Sequence, residues 1–296
     1  MNNGILLALF AYATYSWSDA AIKALGGKLS VFEIGFFLAL ISGICIFLAK
    51  PREERWADFW RMKRPLAVQT RALLGLACSV LGVVAFTTIP LAEVYAIIFL
   101  SPLFITIFSI LFLKEQVGPW RWFAVVAGFI GVLLVVRPGF RAIEFGHFAA
   151  LAIALLGSIV VVLMRALSNH ERQTTMLAFV IIHILVFNGV AMALTTARLP
   201  TWEEAGILVI AGVFSACGNI GLLRATKYAP ANALASTQYS QLAWAVVIGA
   251  MIFNERPDLW AIAGIAVIGG SGLLTLARER IRLGTVRWNL FARNRP

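Results

Sequence analysis

Long apolar runs alternate with short polar breaks from one end of the chain to the other. Ten runs stand out, at 4–22, 31–49, 67–87, 91–113, 120–136, 146–164, 174–194, 205–223, 229–253 and 259–277. Most are near the roughly 20 residues that a helix needs to cross a bilayer core. The breaks are short, the longest being 50–66, so no soluble domain fits between them. The pattern predicts an all-α integral membrane protein of ten transmembrane helices.

The pattern is also duplicated. Pro90 to Glu115 and Pro230 to Glu255 both span 25 residues, and Trp120 and Trp260 each follow their Glu by five. Each Pro opens an apolar stretch and each Glu closes it. Two such copies predict a five-helix repeat over 1–139, a second over 140–280, and a basic cytoplasmic tail over 281–296. Five is odd, so the second copy enters the membrane from the opposite side. The repeats are therefore expected to be inverted around a central cavity, an arrangement suited to alternating access.

Composition agrees with a membrane protein. The chain is 60% hydrophobic and only 13% charged, where a soluble domain has about 25% charged residues. Mean hydropathy is +0.87. The net charge of +11 finds its place in loops rather than on nucleic acid, since no long basic face is interleaved with aromatics. With the N-terminus inside, 19 Lys and Arg lie on the inner side, among them Arg61, Arg64, Arg172 and Arg278, and six on the outer side, among them Lys23, Arg137, Arg198 and Arg256. This asymmetry predicts cytoplasmic N- and C-termini in a bacterial inner membrane. Cys45, Cys78 and Cys217 sit singly in apolar runs, without CxxC spacing, and read as packing residues. Ala11-Tyr12-Ala13 imitates a signal-peptide cleavage site, but Met1–Gly4 carries no basic side chain and the apolar run continues past it, so no cleavage is expected.

Several motifs, weak singly, are specific in their order. Trp17 to Lys23 (W-S-D-A-A-I-K) closes the first run. Ile89-Pro90-Leu91-Ala92 opens the fourth, Ser101-Pro102-Leu103-Phe104 lies within it, and Lys114-Glu115 ends it. Gly128-Phe129-Ile130-Gly131 and Arg137-Pro138-Gly139 mark the fifth. The second half repeats this as Tyr228-Ala229-Pro230, Asn254-Glu255-Arg256-Pro257 and Gly269-Gly270-Ser271-Gly272. Together they resemble the EamA-type branch of the drug/metabolite transporter superfamily, over nearly the whole chain. The resemblance implies a central cavity built mainly from the first four helices of each repeat, with the fifth and tenth peripheral. It implies transport of amino acids, drugs, S-adenosylmethionine, riboflavin or nucleotide sugars. One departure is Leu38 after Phe36-Phe37, where many relatives carry an Arg; an anion site there is in doubt.

Ionisable groups inside a membrane point to a pathway or a substrate. Asp19 and Glu93 are the candidates for a coupling-ion site for H+ or Na+. Desolvation favours the neutral carboxyl, so such a group can exchange a proton during a cycle; solvation near the interface is the plainer reading. Lys23, four residues on, shares a helix face with Asp19 and is read as its ion-pair partner or a substrate contact. In the ninth run Asn232, Ser236, Tyr239, Ser240 and Ala243 form one stripe, bordered by Gln238, Gln241 and Trp244. Tyr239 and Trp244 are expected to stack a planar substrate and Gln241 to hydrogen-bond it; interhelical hydrogen bonding is the alternative. Ser101 sits at the same level in the fourth run, where Pro102 frees a carbonyl and bends the helix, and Tyr95 lies one turn before. Trp17 and Asn219 complete the substrate-lining set. Arg71 and Arg224 read as snorkelling arginines, His183 as a packing residue, and Glu115 and Glu255 as residues that fix the turn into the next helix.

The expected function is thus a secondary transporter of a small organic metabolite, monomeric or homodimeric, with the lipid bilayer as its other partner. No P-loop is present. No cofactor and no metal are expected. An integral-membrane enzyme acting on lipid would need clustered His or carboxylates, whereas His147, His170 and His183 are scattered. A channel would not show saturable, gradient-coupled flux, and a non-transporting sensor would bind without flux.

Overall fold

A computed structural model describes residues 2–49, 55–101, 103–104, 107–108, 119–137, 142–167, 170–195, 198–225, 228 and 237–280. Ten α-helices follow one another over these residues: α1 (Asn2–Ala24), α2 (Val31–Leu48), α3 (Pro65–Thr88), α4 (Leu91–Ile98), α5 (Pro119–Val136), α6 (Phe145–Leu167), α7 (Gln173–Leu194), α8 (Trp202–Ala225), α9 (Ser240–Ile252) and α10 (Leu259–Arg280). No strand occurs among the described residues, as the all-α expectation requires. The stretches Gly4–Ala24, Val31–Leu48, Pro65–Thr88, Thr174–Leu194 and Trp202–Leu222 are long and apolar enough to cross a membrane by length and composition. Asn232, Ser236, Pro102, Glu115 and the 281–296 tail lie outside the described residues.

Local chemistry sets the helix ends. The Ser30 hydroxyl accepts the Glu33 amide and the Glu33 carboxylate accepts the Ser30 amide, a reciprocal cap that starts α2. Pro65 opens α3, where its missing N–H costs nothing. Asn254 ends α9 in the left-handed region at φ 54°, and the Glu255 amide donates back to the Gly249 carbonyl at 2.9 Å. That turn throws the Glu255 side chain back over its own helix.

The fourth run is not one continuous helix. The regular hydrogen bonding of α4 stops at Ile98, and the Leu100 amide takes the tighter bond to the Ile97 carbonyl at 2.9 Å. The sequence supplies the reason. A proline at 102 has no N–H for the Ile98 carbonyl four residues back. The Ser101 hydroxyl donates to that carbonyl instead, at 2.6 Å.

Packing crosses between the halves. α1 lies along α8, and α3 along α6; α2 packs on α7 and α8, α3 on α7, and α4 sits against α6 and α9. Small residues permit the closest approaches. A Cβ on Gly218 would meet the Tyr15 ring at 2.8 Å, and one on Gly264 would meet the Gly131 carbonyl at 2.5 Å. The second contact belongs to α5 and α10, which lie along each other. Large apolar side chains such as Phe10, Phe47, Phe123, Val186 and Met251 remain exposed, as suits a surface bathed in lipid.

One end of the bundle gathers the C-termini of α1, α3, α5 and α9 and the N-termini of α2, α4, α6, α8 and α10. Lys23 meets Glu255, Glu93 meets His147, and Arg137 meets Asp258. α1 reaches this end by its C-terminus and α6 by its N-terminus. Corresponding helices of the two halves therefore run in opposite directions.

Candidate functional site

The buried Tyr95 on α4 is 3% exposed and is the hub of a polar cluster. Its hydroxyl donates to the Asp19 carboxylate on α1. Ser16 on α1 and Gln241 on α9 are neighbours of the same phenol, and the Ser16 hydroxyl donates to the Tyr12 carbonyl of its own helix at 3.0 Å. Phe86 on α3 packs a tilted ring against Tyr95, 5.6 Å between centroids. Helices of both halves thus deliver an acid, a phenol, a hydroxyl and an amide to one buried point. Buried polar groups are costly without partners, and here the phenol and the acid satisfy each other. This cluster can hold a cation, a proton or a hydrogen-bonding substrate group.

Above it, towards the end where the helices meet, lies a second polar layer. The Lys23 ammonium is 2.8 Å from Glu255 Oε1, with side-chain exposures of 13% and 21%, and it donates to the Ile89 carbonyl at 2.7 Å. Glu255 Oε2 accepts the Leu91 amide at 3.1 Å. His147 Nε2 is 2.9 Å from Glu93 Oε2, both side chains 10% exposed. His147 Nδ1 lies 3.0 Å from the Glu144 amide and 3.3 Å from the Glu144 carbonyl, which fixes the ring with Nε2 towards Glu93. A cavity of about 130 Å³ opens beside this layer, lined among others by Glu93, Val135, Ala245, Gly249 and Glu255. No group of three or more metal-ligating side chains occurs among the described residues.

At the same end, Arg198 in the connection before α8 clamps Glu204 through both terminal nitrogens, at 2.8 and 2.5 Å. Its backbone amide donates to Glu33 at 2.7 Å. The Glu204 hydrogen bond, the largest influence on it, holds the Arg198 guanidinium above its ordinary pKa.

The structure brings together Asp19, Tyr95 and Gln241, three of the residues singled out in the sequence. Others go elsewhere. Trp17 is about 200° round α1 from Asp19 and 40% exposed, on a stripe with Leu6 and Phe10. Asn219 donates within α8 to the Ser215 carbonyl at 2.9 Å. It lies eight residues, or about 12 Å, past Ala211, whose carbonyl meets Ser18. Ser101 is occupied with the carbonyl of Ile98. Tyr239 stacks on Phe99, 5.0 Å between centroids, and its ring is where a Cβ on Gly272 would fall, at 2.2 Å. One ring face is thereby taken in this conformation. Trp244 is half-buried against the core.

Three pairings differ from expectation. Lys23 pairs with Glu255, not with Asp19, because the α9 turn swings that carboxylate across to it. Glu255 ties two halves together rather than only its own turn. Glu93 is matched by His147, which looks isolated in the sequence because 54 residues separate them. Arg71 does not snorkel: it is buried, and Nη1 donates to the Met176 carbonyl at 2.8 Å. His183 Nδ1 donates to the Phe179 carbonyl, 2.7 Å away, within its own helix, as a packing residue would.

Known proteins share this architecture. The chain is 27% identical over 271 residues to the pseudopaline exporter CntI of Pseudomonas aeruginosa, covering 90% of this chain and 94% of that one. It is 26% identical to the S-adenosylmethionine uptake transporter of Rickettsia prowazekii, covering 94% of each. It is 29% identical to the riboflavin transporter of Vibrio cholerae over 61% of each chain. One crystal structure, at 17% identity, superposes with a TM-score of 0.69 over 95% of this chain and 99% of its own, which shows a shared fold. The EamA-like transporter family model matches residues 2–137 and again 144–277, and the chain belongs to that family.

Proposed function

We propose that this protein moves a small organic metabolite across the inner membrane by alternating access, with Asp19 as its cation site. The observation that carries this reading is the buried hydrogen bond from Tyr95 on α4 to Asp19 on α1, at the place where both helices pack on α9 of the other half. A carboxylate held there by a phenol can take a coupling proton or sodium ion, or the cationic nitrogen of an amino-acid-like or S-adenosylmethionine-like solute. The named relatives carry pseudopaline, riboflavin or S-adenosylmethionine, all small and polar. The two repeats span 1–139 and 140–280, and both termini face the cytoplasm, as the excess of Lys and Arg on that side supports.

Counterflow in proteoliposomes tests the proposal. The panel holds amino acids, S-adenosylmethionine, riboflavin and nucleotide sugars, with wild type beside Asp19→Asn. Saturable exchange of one solute establishes the substrate. If Asp19→Asn keeps exchange but loses gradient-driven uptake, Asp19 binds the coupling ion. If it loses both, Asp19 binds the substrate. Full uptake and exchange in Asp19→Asn would sink the cation-site reading.

A further inference from the structure

Apart from the Tyr95–Asp19 contact and the Phe99–Tyr239 stack, the side-chain ties described above sort into two groups of helices that do not coincide with the two repeats. α1, α2, α8 and α9 hang together. Ser18 donates to the Ala211 carbonyl at 2.9 Å, Arg198 joins the Glu33 side of α2 to Glu204 of α8, and Lys23 pairs with Glu255 at the end of α9. α3, α4, α6 and α7 hang together likewise. His147 holds Glu93, Arg71 holds the Met176 carbonyl, and Glu171 accepts the Arg64 amide at 2.5 Å. The groups meet along α2 and α7, where α1 meets α3, and across α4 and α9.

At the Lys23 end, the ion pair makes two further hydrogen bonds across that division. Lys23 donates to the Ile89 carbonyl and Glu255 accepts the Leu91 amide. Both backbone groups flank Pro90, in the turn between α3 and α4. The donor faces a carbonyl and the acceptor faces an amide that α4, at its N-terminus, cannot satisfy itself. The Tyr95–Asp19 contact lies directly beneath.

We propose that the Lys23–Glu255 pair is a latch that closes this end of the pathway by gripping the backbone of the Ile89-Pro90-Leu91 turn. The grip, rather than the ion pair itself, holds the end shut. Exchanging the two charges restores an ion pair but sets a carboxylate against a carbonyl and an ammonium against an amide. Replacing both residues by Gln removes the charges but keeps a donor for Ile89 and an acceptor for Leu91.

The inference rests on the alternating-access reading, but its test needs no transport. In a background with Cys45, Cys78 and Cys217 replaced by Ala, Ser16→Cys places a thiol below the latch, where the native residue is 1% exposed. A membrane-impermeant thiol reagent is applied from each side in turn. Trp202→Cys, at a position 96% exposed at the latch end, marks which side that is. From that side, Lys23→Glu/Glu255→Lys is expected to raise the Ser16→Cys labelling rate about tenfold or more, and Lys23→Gln/Glu255→Gln to stay near the parent rate. Size-exclusion profiles and thermal transitions confirm that each variant folds. A charge exchange that labels at the parent rate overturns the latch, and so does a double-Gln variant that labels as fast as the exchange. A labelling response without flux of any solute would leave the latch standing and defeat the transporter reading.

Discussion

Single side chains carry this site, and two substitutions separate their roles. Tyr95→Phe removes the hydroxyl that donates to Asp19. Leaving the Asp19 carboxylate without this donor costs about 1–3 kcal/mol, so the variant is expected to fold normally but to transport at least about tenfold more slowly. Full activity in Tyr95→Phe would remove the hub from the mechanism. Gly249→Ala probes the second polar layer, since a Cβ there would fall 2.9 Å from Glu255 Oε2. The clash is with the tip of a flexible side chain, which can move away at little cost. The expected result is an unchanged thermal midpoint with faster labelling of Ser16→Cys; an unchanged labelling rate would show that Glu255 keeps its grip with the extra methyl in place. Asp19, Tyr95 and Gln241 were legible as residues because polar groups in apolar runs need a reason. Their mutual contact was not, because α1, α4 and α9 are far apart in sequence. Trp17 misleads for the opposite cause: its place in a motif says nothing of the side of α1 on which it stands.

Helices were legible from hydrophobic runs, and their interruptions less so. The stripe of Asn232, Ser236, Tyr239, Ser240 and Ala243 assumes one regular helix across 229–253. The described helix begins at Ser240, and the residue it turns toward Tyr95 is Gln241, a neighbour of the stripe. Ala243 is exposed instead. The fifth and tenth helices show how far small residues matter at this scale. Gly131 and Gly264 face each other backbone to backbone, so a Cβ at either would strike a carbonyl that cannot rotate away, at 2.8 and 2.5 Å. Overpacking of that kind costs about 1–3 kcal/mol. Gly264→Ala is expected to lower the unfolding midpoint in detergent, while Gly269→Ala, where a Cβ would meet nothing within 4 Å, leaves it unchanged or raises it slightly through helix propensity. Equal midpoints for the two variants would mean that α5 and α10 separate easily.

Taken as a whole, the molecule distributes its polar ties unequally between stability and motion. Arg198 neutralises Glu204 and, through its backbone amide, steadies Glu33; both acids are buried, 6% and 4% exposed. This clamp lies inside one helix group. Lys23 and Glu255 reach across to the other group through one carbonyl and one amide. Removing the partner of covered carboxylates destabilises, whereas a pair that retains its own ion contact while losing a backbone grip does not. The two sites should therefore respond in opposite ways. Arg198→Met is expected to lower the thermal midpoint while leaving Ser16→Cys protected from the latch side. The charge exchange at Lys23 and Glu255 is expected to expose Ser16→Cys with little change of midpoint. Were Arg198→Met to open that end as well, the clamp and the latch would be one cooperative unit. The moving bodies would then be the sequence repeats, not the two groups of helices drawn from both of them.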